Sequence, residues 1–74
     1  GMWWVKLRVS RNDLQETVTT IRKRFHQPVI YRIEKYSGDE YIVSFTTTST
    51  LDEILRVLGE EYLYRNLVSI STEW

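Results

Sequence analysis

The chain opens on strict alternation. From Trp3 to Ser10 the residues Trp3, Val5, Leu7 and Val9 fall on one side, and Trp4, Lys6, Arg8 and Ser10 on the other. Period-two patterning of this kind predicts a half-buried β-strand. The period then changes. Leu14, Val18, Ile21 and Phe25 recur at helical spacing among polar residues, with Asn12 as the expected N-cap and Gln15 three places later. Arg22-Lys23-Arg24 stands in the last turn, where cations favour the negative end of the helix dipole, and Pro28 ends the helix.

Val29 to Thr47 predicts a β-hairpin, with two β-branched and aromatic runs around Ser37-Gly38-Asp39. A three-residue loop pairs Tyr36 with Glu40, sets Ile33 opposite Val43 and Tyr31 opposite Phe45, and thereby buries Val29, Tyr31 and Ile33 together with Tyr41, Val43 and Phe45. Thr50-Leu51-Asp52-Glu53 is a capping box. It opens a helix whose apolar stripe is Leu51, Ile54, Leu55, Leu58 and Tyr62. Gly59 is expected to end the regular helix, leaving Glu60 to Tyr64 as an irregular turn and Arg65-Asn66 as a connection. Leu67 to Trp74 alternates again, with Val68, Ile70 and Trp74 inward.

The order β-α-β-β-α-β, with one apolar face per strand and one stripe per helix, predicts an α+β domain over residues 2–74. Four antiparallel strands in the order 4-1-3-2, covered by two helices on one face, make the expected arrangement ferredoxin-like. Pairing the last strand antiparallel to the first sets Trp74 against Trp3, Thr72 against Val5, Ile70 against Leu7 and Val68 against Val9.

Composition narrows the function. At 74 residues the chain is one domain with a thin core, and it has no cysteine and one histidine. Disulfides are excluded, so added stability points to self-association. Ten basic and ten acidic residues cancel, which gives no net field to draw a polyanion. The longest apolar runs fall short of a membrane span. Gly1 before Met2 reads as a remnant of tag removal. Absence of cysteine and of a signal-peptide pattern sets the expectation of a cytoplasmic protein.

Candidate chemistry is sparse. No serine sits in a glycine-flanked elbow, and His26 beside Pro28 reads as a solvated helix-end residue. No second histidine or cysteine offers metal-ligand spacing, and the glycines form no phosphate loop. The acidic pairs Asp39-Glu40, Asp52-Glu53 and Glu60-Glu61 are explained by a turn, a cap and a helix end. The expectation is no enzyme, no cofactor and no metal.

By parity the face without helices carries Trp4, Lys6, Arg8, Ile30, Arg32, Glu34, Tyr36, Ile42 and Leu67. Such a surface predicts a symmetric homodimer through the open face or an edge. Trp4, Ile30, Tyr36, Ile42 and Leu67 are its interface, Trp4 is the anchor, and Glu34 and Glu73 offset Lys6 and Arg8. RNA-recognition modules share this fold. Here, however, the third strand reads Asp-Glu-Tyr-Ile-Val-Ser-Phe, with acids where a basic residue and glycine are expected, so a weak nucleic-acid binder ranks last.

Leu7-x-Val9-Ser10-Arg11-Asn12-Asp13-Leu14, followed by Val18 and Ile21, resembles the first strand, turn and helix start of ACT domains, with Asp13 in place of the turn glycine. ACT domains are small regulatory modules that bind amino acids. The resemblance implies a ligand site lined by Asn12, Asp13 and Leu14 at a dimer interface.

Overall fold

A computed structural model describes residues 1–72 of the chain. Its elements are β1 (Trp3–Ser10), α1 (Arg11–Arg24), β2 (Val29–Ser37), β3 (Glu40–Thr47), α2 (Leu51–Leu58), α3 (Glu60–Asn66) and β4 (Leu67–Ser71). All strands pair antiparallel in one α+β sheet ordered β2-β3-β1-β4, which read from the β4 edge is 4-1-3-2. The two inner strands behave as their alternation dictates. Val5 faces Phe45 and Leu7 faces Val43, and all four are fully buried with Val9. Ile21, Phe25 and Ile54 from the helical layer complete the core, and the Phe25 and Phe45 rings lie 5.3 Å apart.

The outer strands depart from simple parity. In β2 the expected Ile33–Val43 pair is present, but the ladder is interrupted between Ile30 and Arg32 and again between Lys35 and Ser37. Each interruption skips one residue of β2, Tyr31 or Tyr36, in the register with β3, as a β-bulge does. Ile30, not Tyr31, therefore faces Phe45 and packs against the core. Val29, Tyr31 and Ile33, expected inward, are exposed. The second bulge shortens the turn to Gly38-Asp39, so Ser37 rather than Tyr36 pairs with Glu40. A two-residue loop requires positive φ, which Gly38 supplies at 54°.

In β4, Ile70 faces Val5 rather than Leu7, two residues from the expected register. An irregularity between Lys6 and Leu7 then turns Leu67 toward Leu7 and leaves Val68 exposed. Asn66 supports this junction by donating from Nδ2 to the Arg8 carbonyl at 2.7 Å. The expected Trp74–Trp3 pair and the role given to Glu73 lie outside the described residues.

The helices differ in three places. The strand runs directly into α1, with Ser10 rather than Asn12 as N-cap, and Ser10 Oγ donates to Asp13 Oδ2 at 3.2 Å. After Gly59, whose φ of 89° breaks α2, the chain resumes helix as α3 instead of an irregular turn. Glu60 and Glu61 favour the positive end of that helix, and Leu63 is buried beneath it. Because α2 stops at Leu58, its covered side is Ile54, Val57 and Leu58. Leu51 and Leu55, expected in the stripe, are exposed.

Candidate functional site

The face not covered by helices is built from three strands around small residues of β3. Trp4 and Val29 flank Thr46, Lys6 and Arg32 flank Ser44, and Arg8 and Glu34 flank Ile42. Ser44 and Thr46 are buried although no helix lies over them. The longer side chains of β1 and β2 close above them. Trp4 meets the displaced Tyr31 edge to face, with ring centroids 5.4 Å apart. Tyr36, at the second bulge, carries the Arg8 guanidinium over its ring at 5.9 Å, within cation–π range. Tyr31 thus serves the open face because it stands outside the ladder, whereas Tyr36 keeps the face that alternation from Arg32 and Glu34 gives it. A single sequence gives no mark of a bulge at either position, which is why parity assigned Tyr31 to the core.

Charges on this face are paired within the chain. Arg8 Nε lies 3.6 Å from Glu40 Oε1, and Arg32 Nη1 lies 3.9 Å from Glu34 Oε2. At the hairpin tip Arg11 both bridges the Asp39 carboxylate at 3.3 Å and donates its backbone N–H to the Asp39 carbonyl at 2.7 Å, tying the turn to the start of α1. Of the residues expected at an interface, Trp4, Tyr36 and Ile42 share the open face. Ile30 and Leu67 are on the helix-covered side, a correction that follows from the bulges in β2 and beside β4.

The more conspicuous surface is the outer edge of β2. It pairs with no strand among the described residues. Of its nine residues only Ile30 is even partly buried, and Val29, Tyr31, Ile33 and Tyr36 are among the exposed large hydrophobics.

Elsewhere the polar groups have structural work. Thr47 Oγ1 donates to the His26 carbonyl at 2.6 Å and accepts from Ser49 N–H at 3.0 Å. Ser49 Oγ accepts from His26 N–H at 2.7 Å, so the hydroxyl run after β3 holds the turn where Gln27 takes a φ of 47°. Thr50 and Glu53 form the reciprocal capping box, and the Thr50 backbone and hydroxyl donors hold the Glu53 carboxyl below its ordinary range. Between α1 and α2–α3 lies a cleft of about 210 Å³, in which Tyr62 and Thr17 share a hydrogen bond at 3.3 Å. Burial pushes the Tyr62 phenol above its ordinary range, against the opposing pull of Thr17. Asn12 and Asp13 are exposed in the first turn of α1, and Leu14 packs against the core. His26 is exposed, Arg22, Lys23 and Arg24 are exposed in the last turn of α1, and among the described residues no cluster of His, Asp and Glu could hold a metal ion.

Among the described residues no helix is long and apolar enough to cross a membrane. Comparison with family models, curated proteins and solved structures finds no match.

Proposed function

We propose that this chain is a non-enzymatic interaction module with a ferredoxin-like fold, and that it self-associates along the β2 edge and the adjoining open face. One observation carries the reading: four large apolar or aromatic side chains are exposed on a single edge strand whose outer backbone pairs with no other strand among the described residues. Edges of this kind are templates for a further strand, and natural proteins ordinarily shield them. A small domain gains most from such pairing, since its own net stability is only about 0.05–0.15 kcal/mol per residue.

Trp4 enters this reading differently from the anchor expected by parity. Its ring is half-buried against Tyr31 and shields Thr46, so it stiffens the face next to the edge. An amino-acid sensor built on Asn12, Asp13 and Leu14 and a nucleic-acid binder are the alternatives. On the open face Arg8 and Arg32 already pair with carboxylates, which counts against a phosphate site.

Sedimentation equilibrium from micromolar to millimolar chain, with a thermal-shift screen over amino acids and oligonucleotides, tests the reading. A reversible dimer and no ligand response support it. A monomer with a shift of several degrees on adding one amino acid selects the sensor, and a salt-sensitive response to oligonucleotides selects the binder.

A further inference from the structure

We propose that two copies of this chain join their β2 strands antiparallel about a two-fold axis at Ile33, so that Arg32 of each copy faces Glu34 of the partner subunit in one continuous sheet; this rests on the edge-association reading above.

The bulges define where a second strand can lie flat. Between Tyr31 and Tyr36 the regular run is Arg32-Ile33-Glu34-Lys35, each residue directly opposite one residue of β3. A two-fold axis perpendicular to an antiparallel pair sets one residue against its own copy, and its neighbours against each other in reverse order. Only four residues can occupy that centre within the regular run. Arg32, Glu34 or Lys35 at the centre would place a like charge directly against itself, an arrangement that destabilises a strand pair. Ile33 is the one uncharged residue of the four.

Charge then decides in its favour twice over. With Ile33 central, Arg32 meets Glu34 of the partner subunit, and the same contact recurs on the other side of the axis. Within one chain Arg32 and Glu34 already lie on the same face, 3.9 Å apart, and both are about half exposed. Two copies brought together can exchange this bridge for a four-membered alternating array. Ile33 is 43% exposed and has its pleat neighbour Val43 behind it, so its self-contact covers apolar surface that the single chain leaves open to water. A two-fold pairing occupies the β2 edge of both copies at once, so the contact closes at two subunits rather than extending as an open ribbon.

The chain contains no cysteine, so a single introduced thiol reports proximity without background. Directly opposite strand residues have Cα atoms about 4.5–5.5 Å apart, within disulfide reach. Ile33→Cys is expected to give a covalent dimer under mild oxidation. Val29→Cys is expected to give none, because the two copies of position 29 would stand roughly 25 Å apart along the strands. A second readout leaves Ile33 untouched: Arg32→Glu and Glu34→Arg should each weaken the dimer by about tenfold, and the double exchange should restore it to within about threefold. A dimer that cross-links through position 29 better than through 33, or whose double exchange is no tighter than either single variant, overturns the Ile33 axis while leaving edge association standing. A chain that stays monomeric at millimolar concentration overturns both.

Discussion

Thr47→Val is the sharpest probe of how the loops are held. Valine nearly reproduces the shape of threonine, so the fully buried site keeps its packing and loses only a hydroxyl. That hydroxyl makes two bonds, one donated to the His26 carbonyl at 2.6 Å and one accepted from Ser49 N–H at 3.0 Å. The two ends fare differently when it goes. The His26 carbonyl still accepts from Thr48 N–H at 3.1 Å. Among the described residues the Ser49 N–H makes no other hydrogen bond, and Ser49 is buried at 3% exposure. Stranding a buried donor costs about 1–3 kcal/mol, more than the ~0.5–1.5 kcal/mol of an ordinary net hydrogen bond. A loss of about 2 kcal/mol in a domain of this size lowers the melting temperature by roughly 8–16 °C. Urea unfolding followed by tryptophan fluorescence, with a parallel thermal scan, measures it. A loss below about 0.5 kcal/mol, at the floor of what a net hydrogen bond contributes, would show that the buried hydroxyl does not anchor the turn and would refute the assignment of this hydroxyl run to structure.

Gly59→Ala should destabilise by about 1 kcal/mol or more in the same assay, because an L-residue is strained at a φ of 89° while an added Cβ meets no atom within 4 Å. A D-alanine placed there by chemical synthesis should instead be neutral or stabilising. Tyr62 gives a pH prediction. Its folded phenol titrates above the ordinary value of 10.0, so the unfolded chain loses the proton first. Stability is therefore fully present below about pH 10 and falls as pH rises beyond it, and Tyr62→Phe should abolish that alkaline decline in calorimetry. Glu53 works at the other end of the scale with the opposite sign. Its lowered carboxyl favours the folded state above the ordinary value of 4.5, and the increment disappears as pH falls through the folded value. Glu53→Gln should remove that acid dependence, and Thr50→Ala should only reduce it, because the backbone N–H at position 50 still donates to the carboxylate.

Sequence patterning served best where strands are flanked on both sides. β1 and β3 are inner strands, so every residue has a directly opposite neighbour, and Val5, Leu7, Val9, Val43 and Phe45 are buried as their alternation requires. Thr50-x-x-Glu53 was equally legible, because a cap is local and needs no tertiary partner. β2 and β4 were not. Counting by twos assumes one residue opposite one, and a single unpaired residue reverses the face of everything beyond it. Tyr31 thus left the core for the open face, and Ile30 and Leu67 made the opposite move. Gly59 was rightly a break, but the return to helix depended on Leu63 finding cover, which only the folded chain provides. The same limits apply to the site. Trp4, Tyr36 and Ile42 share the expected face, whereas the exposed β2 edge emerges only once the strand order and both bulges are in place.

The proposal that β2 is the contact surface is tested most directly by amide chemical shifts of the isotope-labelled chain followed on dilution from millimolar to micromolar. Residues 29–37 are predicted to move together on one binding curve, with the largest shifts at Arg32, Ile33 and Glu34. Shifts that are independent of concentration, or confined to β4 or the outer faces of the helices, would contradict it.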